Sequence, residues 1–388
     1  MTASTQPISA STGPETADPV ELFFDLAFVF AAARLVGFLH HELTATSVAQ
    51  ALVLLSLLWW AWSQFTWSAN AVGNGSRGIR GVFLLATVAT VPIGASIDHA
   101  FDATGAVFAV SWAVLLLAGS AVYVVGVWHD EVQRRAVVDY ELRTLLGALL
   151  VVAGAAVTDP TGRLVLWALG FLGLVVAAAL VGGDGFEGIV ASHFAERYGL
   201  IVIVALGETV VALGIGVAES LGESLDAGTL GVLVGGGALA CLLWWSYFDR
   251  IAPTAEHHLA TADGAVKGRM ARDLYTYLHL PLFAGVVLVA VALEEIVVHP
   301  ADPLDLPMRG VLAAGLGLFL GGFVLADLRA SRTLERERTV ALLLLVVGVL
   351  AAPLSGLGLL VAVDVALLLA LVVEDRLSPA HHHAPAAA

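Results

Sequence analysis

The chain has 388 residues, of which 59% are hydrophobic and only 13% charged, against roughly 25% charged in soluble domains. That balance excludes an ordinary soluble globular protein, and a net charge of −15 argues against a basic nucleic-acid binder. A single Cys leaves neither an intramolecular disulfide framework nor a Cys-rich zinc site available.

Residues 1–19 are rich in Ser, Thr and Pro and carry no basic stretch ahead of an apolar run, so they read as a disordered tail and not as a cleaved signal peptide. A bilayer core about 30 Å thick takes about 20 mostly apolar residues per helix, and such stretches recur along almost the whole remaining chain. Twelve spans are expected, at 20–40, 46–70, 79–98, 103–128, 142–158, 162–182, 197–218, 228–250, 272–294, 309–328, 339–353 and 355–373. The fifth and the last two are short, Pro353 and Gly356 must supply a tight reversal, and eleven spans is the alternative. The connections leave no room for a separate catalytic domain. In the closing tail, 377–388, the run His381, His382 and His383 sits among Ala and Pro and reads as compositional bias, not a metal site. The expected fold is an all-α polytopic membrane bundle whose first partner is the lipid bilayer.

Lys and Arg concentrate in cytoplasmic loops. The connections after even-numbered spans hold Arg77, Arg80, Arg134, Arg135, Arg143, Arg197, Arg250, Lys267, Arg269, Arg272, Arg329, Arg332, Arg336 and Arg338, with Arg376 in the closing tail. The opposite connections hold Arg163 and Arg309 beside Asp98, Asp102, Glu223, Asp302 and other acids. Both termini are therefore expected in the cytoplasm.

The chain also reads as two halves. Leu57-Leu58-Trp59-Trp60 recurs as Leu242-Leu243-Trp244-Trp245, Phe24-Asp25-Leu26 corresponds to Tyr198-Gly199-Leu200, and Thr87 with Pro92 corresponds to Thr276 with Pro281. The separations rise in chain order from 174 through 185 to 189 residues, as loops lengthen. Residues 20–182 and 183–376 then form two six-helix repeats. Because six is even, they share one orientation, the arrangement of parallel-repeat transporters. Chance similarity among Leu- and Ala-rich helices is the alternative.

Within these helices, charged and aromatic residues stand at fixed places. Glu21-Leu22-Phe23-Phe24-Asp25-Leu26, Leu57-Leu58-Trp59-Trp60-Ala61-Trp62, His193-Phe194-Ala195-Glu196-Arg197-Tyr198-Gly199-Leu200 leading into Ala205-Leu206-Gly207-Glu208, Trp244-Trp245-Ser246-Tyr247-Phe248-Asp249 and Tyr275-Thr276-Tyr277-Leu278-His279-Leu280-Pro281 resemble the bacterial low temperature requirement A family. The resemblance implies a bacterial inner-membrane protein tied by name to growth in the cold. It carries no substrate and no catalytic residue with it.

An ionisable side chain at a helix centre costs about 2.5–3.5 kcal/mol on the insertion scale and so needs a reason. Glu21 and Asp25 share one face of the first helix, either as a cation or proton site or as acids bonded to neighbouring helices near the positive helix end. Arg34 lies about 180° around from Asp25. At the 174-residue separation it corresponds to Glu208, which suggests a salt bridge between the halves; a snorkelling anchor is the alternative. Glu208 itself falls near the midplane, and His193 and Glu196 lead toward it along the same helix. Pro281 removes an N–H and should kink the ninth span, freeing the carbonyl of Tyr277 beside His279, which reads either as a cation or proton position or as a packing histidine. Asp249 completes the set of intramembrane polar candidates. The Trp residues at 59, 60, 62, 67, 244 and 245 read as packing plus an interfacial belt. Glu294, Glu295, His299 and Asp302 read as a solvated acidic cluster, with a divalent cation site as the alternative.

No catalytic residue, cofactor site or metal site is expected. Repeated halves, midplane charge and a kinked helix favour a secondary transporter or channel for an ion, proton or small solute. A non-transporting scaffold or cold-stress sensor is the alternative. An intramembrane enzyme would rest on only two pairs, His193 with Glu196 and His279 with Asp273.

Overall fold

The computed structural model describes residues 17–72, 77–181, 183–186, 188–219, 226–332, 334 and 336–377. Most of the leading tail, Gly182, Glu223 and His381 to His383 lie outside the described residues. Each expected span falls on a helix: α1 (Pro19–His41), α2 (Ala45–Val72), α3 (Arg77–Ser96), α4 (Gly105–Gly126), α5 (Glu131–Gly154), α6 (Pro160–Val181), α7 (Ala191–Glu219), α8 (Ala227–Ser246), α11 (His279–Val298), α12 (Leu306–Ser331), α13 (Arg336–Ala351) and α14 (Gly356–Leu377). Two short helices, α9 (Ala252–Thr261) and α10 (Gly264–Met270), join α8 to α11 through π-helical turns at Tyr247–Ile251 and Ala271–Tyr277.

Among the described residues, ten helical segments are long and apolar enough to cross a membrane. The two that fall short are α5, whose first thirteen residues include six charged ones, and α13, which has only 16 residues. The fifth span was expected to begin at 142, but Asp130 starts the helix earlier by accepting from the N–H groups of Val132 and Gln133. The segments 227–261 and 264–298 run 35 residues each, about 52 Å at 1.5 Å per residue. A bilayer core needs about 30 Å, so their joined ends, α9 and α10, project past the apolar layer at the Arg-rich end.

Local signals explain where helices start. Asp18 caps α1 by accepting from Val20 N–H at 3.0 Å, Glu21 returns the bond by accepting from Asp18 N–H at 3.1 Å, and Pro19 occupies the first turn. At the opposite end of the bundle Arg163 is buried, and its guanidinium donates to the carbonyls of Ala100, Asp102, Gly154 and Val157, which ties the α4 entry to the α5–α6 turn. Arg163 therefore serves as a carbonyl cap, one of only two basic residues in the acidic connections.

The centre of the bundle is α11, buried on every side and packed by α1, α2, α7, α8, α12 and α14. Two glycines set its approach to α12. A Cβ on Gly285 would stand 2.6 Å from the carbonyl oxygen of Gly315, and one on Gly315 would stand 3.0 Å from that of Gly285. Gly285→Leu should therefore destabilise the bundle by about 1–3 kcal/mol or more through overpacking. Gly310→Ala, where a Cβ meets nothing within 4 Å, should be neutral or stabilising by about 1 kcal/mol. Thermal unfolding of both variants in one detergent checks the contrast, and equal losses would contradict it.

Candidate functional site

A carboxylate inside an apolar bundle must find a cation and hydrogen bonds, or it is neutralised. Asp25 of α1 finds Arg197 of α7. Its Oδ2 accepts from Nη1 at 2.8 Å and its Oδ1 from Nη2 at 2.8 Å, a two-pronged fork between two fully buried side chains. Oδ1 also accepts from the indole N–H of Trp62 on α2 at 2.7 Å, and the guanidinium lies 5.8 Å from the Trp62 ring centre.

One turn nearer the helix starts, Glu21 faces His193 at 3.3 Å, and its Oε2 lies 3.9 Å from Nε of Arg197, which has no hydrogen bond. The tautomer of His193 follows from its neighbours. Asn70 is oriented by Val190, whose N–H donates to Oδ1 and whose carbonyl accepts from Nδ2. That orientation turns the Asn70 amide N–H toward Nδ1 of His193 at 3.3 Å. Nδ1 must accept, so Nε2 carries the proton and donates to Glu21. Both contacts span 172 residues, and a constant separation means that α1 and α7 run parallel.

A second polar node adjoins the first through Tyr198, whose ring lies 5.0 Å from Trp62 and 5.1 Å from His279. Thr276, in the π-turn ahead of α11, accepts on Oγ1 from the Trp67 indole at 2.9 Å and meets the Tyr198 hydroxyl at 3.1 Å. The Thr276 carbonyl accepts from the Trp59 indole at 2.7 Å. His279 Nδ1 donates to the Leu274 carbonyl at 2.9 Å, which leaves Nε2 to accept from the Tyr247 hydroxyl at 2.8 Å. The backbone irregularity thus begins before Pro281, and the carbonyls engaged by side chains are those of Leu274 and Thr276. Beside this node lies a cavity of about 50 Å³ lined by Gln64, Trp67, Tyr140, Arg272 and Thr276 among others; that is room for a few waters or one small ion.

The structure brings Glu21, Asp25 and His193 together and sets His279 in the adjoining node. Glu196 lies at the rim, its Oε2 accepting from Ala17 N–H at 3.1 Å. Asp249 is on the exposed face of the other π-turn, and Pro281 is half-buried in the first turn of α11. Glu208 is half-buried in α7 and makes no hydrogen bond or ion pair with another described residue. The expected pairing of Arg34 with Glu208 is corrected: Arg34 pairs with Asp98, just beyond α3, and both are substantially exposed. The physical reason is rotational. The Asp25 face of α1 is turned to α7, so a residue half a turn away faces elsewhere. Glu294 leaves the expected acidic cluster, buried 3.8 Å from His40. Among the described residues no His, Cys, Asp or Glu group has the arrangement of a metal site. Trp59, Trp60 and Trp62 are packed inside, while Trp244 and Trp245 are exposed on the bundle surface.

Sequence reasoning passed over Arg197, counting it among loop cations. The available signal was the spacing: Glu21 and Asp25 are four apart in α1, and His193 and Arg197 are four apart in α7. It also passed over Glu141, excluded because the fifth span was begun one residue later. Glu141 accepts from Gln64 Nε2 at 2.6 Å and from the Ser120 hydroxyl at 2.7 Å. Asp364 of α14, beside Gly235 of α8, was likewise missed, and its Oδ1 is buried without a hydrogen bond.

Breaking a buried pair leaves a bare charge, so Asp25→Ala and Arg197→Ala should each cost about 3–5 kcal/mol, and the double variant should lose less than the sum. Arg34→Ala should change stability by no more than about 1 kcal/mol, because its pair is exposed. Thermal unfolding of the four variants in one detergent tests this, and strict additivity for Asp25 and Arg197 would contradict it.

The family model for bacterial low temperature requirement A protein (LtrA) matches residues 16–373. An uncharacterized protein of Rhizobium meliloti (strain 1021) is 27% identical over an alignment 383 residues long, with 93% of this chain and 89% of that relative covered. No solved structure matches the chain. With the matched region spanning every helix from α1 into α14, the chain belongs to the bacterial low temperature requirement A protein (LtrA) family.

Proposed function

We propose that this family member is a twelve-span secondary transporter or channel of the bacterial inner membrane, moving an ion, a proton or a small solute. The carrying observation is the charged seam between α1 and α7, set against an interrupted helix and a polar cavity. Parallel helices must have an odd number of crossings between them. The parallel run of α1 and α7 supports a crossing by α5 along with α1, α2, α3, α4 and α6. The same argument applies at the other end. Gly231 of α8 meets Leu357 of α14 and Gly235 meets Leu360, while Arg250 reaches Asp375. Position rises along both helices, so α8 and α14 are parallel, which supports a crossing by α13 between them. The Arg-rich connections support a cytoplasmic position for both termini.

Equivalent packing supports two repeats. α1 packs on α3 as α7 packs on α11, α3 on α4 as α11 on α12, and α2 on α6 as α8 on α14. In this reading α1 and α7 are the corresponding first helices, and the Asp25–Arg197 fork is the joint about which the halves rock. Thr276 and the adjoining cavity form the polar position of the pathway, with the broken backbone lining it as in other transporters. The family's name supplies the link to growth in the cold. A scaffold role is the second reading, favoured by the saturated bonding of Asp25.

Purified protein in liposomes should pass protons, Na⁺ or K⁺ above the rate of empty liposomes. Thr276→Val preserves shape but removes the hydroxyl held by Trp67 and Tyr198, and loss of one such bond, about 1–1.5 kcal/mol, should slow flux about tenfold. Wild-type protein that moves none of the three ions, with its fold verified, would favour the scaffold.

A further inference from the structure

Outside this site, a slot of about 550 Å³ opens between α8, α12, α13 and α14. Its wall is apolar except at the Arg-rich end, where Ser246, Arg250, Arg338 and Glu374 line it. Along α13 it extends from Arg338 to Ala352, about 21 Å at 1.5 Å per residue, more than half of a bilayer core about 30 Å thick. Small residues normally let helices approach closely. Here Gly348 has nothing within 4 Å of where a Cβ would stand, and α13 packs on α12 through Leu342 and Val346 but only sparsely on α14. Apolar walls facing empty space forfeit dispersion contacts, and a gap open to the bilayer gains them back by admitting a lipid chain.

The polar end specifies a headgroup. Arg250 donates to Asp375 at 2.9 Å and lies 3.3 Å from Glu374, yet its Nε is buried without a hydrogen bond. Arg338 donates from Nε to Glu374 at 2.9 Å and also pairs with Asp327. Two guanidiniums thus stand among three carboxylates. An anionic headgroup adds negative charge to that excess. A headgroup that joins a phosphate to a primary ammonium offers an acceptor to Arg250 Nε and a donor to Glu374 or Asp375. We propose that the slot binds one phosphatidylethanolamine-type lipid, with an acyl chain between α13 and α14 and its headgroup at Arg250 and Glu374.

The test starts from protein in nanodiscs of phosphatidylethanolamine, phosphatidylglycerol and phosphatidylcholine in equal parts, extracted into mild detergent and weighed by native mass spectrometry. One phosphatidylethanolamine should stay bound per chain, favoured over the other two by at least about tenfold. Gly348→Phe fills the slot from a position where a side chain has space, and should release that lipid while leaving thermal unfolding unchanged. Arg250→Lys keeps the charge but removes the Nε–H, and should erase the headgroup preference. Equal retention of the three lipids by wild type, unchanged retention by Gly348→Phe, or a second copy of the chain in place of lipid would overturn the assignment.

Discussion

The bundle depends on one requirement: a carboxylate buried in an apolar layer has to be neutralised by something equally buried. Asp25 meets it with Arg197, and the fork leaves no water-facing atom on either side chain. Because guanidinium and carboxylate are both planar, the pair fixes rotation as well as distance, and with it the faces that α1 and α7 present to every other neighbour. Trp62 fastens α2 to the same carboxylate, and His193 fastens α7 to the capping box of α1 through Glu21. Three helices and one helix start are thus registered by a single cluster.

The second node takes its geometry from backbone that departs from α-helix. An α-helix spends its carbonyls internally, whereas the π-turn before α11 presents the Thr276 carbonyl to Trp59 and the Leu274 carbonyl to His279. π-turns of this kind concentrate at functional positions. Here the turn sits where α2, α7 and the joined α10–α11 segment converge, with Tyr198 touching both nodes. The two clusters therefore cannot be displaced independently, and a movement of α7 relative to α1 is felt at Thr276.

Much of the fold was legible in the sequence because span length and apolarity are local properties. Each expected stretch lies on a helix, and the Arg-poor and Arg-rich ends follow from counting charges. The start of α5 was not legible from hydropathy, since its first turns are polar and the helix is launched by the Asp130 cap. Of the residues that meet in the two polar clusters, Glu21, Asp25, His193 and His279 stood out in the sequence because polar groups in apolar sequence are conspicuous. Arg197 escaped because depth belongs to the tertiary arrangement: near a helix start it resembles a loop cation until α1 covers it. Arg34 was matched to Glu208 by separation along the chain, but the face a helix turns to its neighbour decides who meets whom.

The most direct test of the α1–α7 seam is distance in the native membrane. With Cys241 replaced by Ser, Glu21→Cys combined with His193→Cys should be joined rapidly by a short bifunctional thiol reagent, because the two native side chains approach to 3.3 Å. Arg34→Cys combined with Glu208→Cys should not be joined. Crosslinking of the 34–208 pair with none at 21–193 would contradict the parallel charged seam.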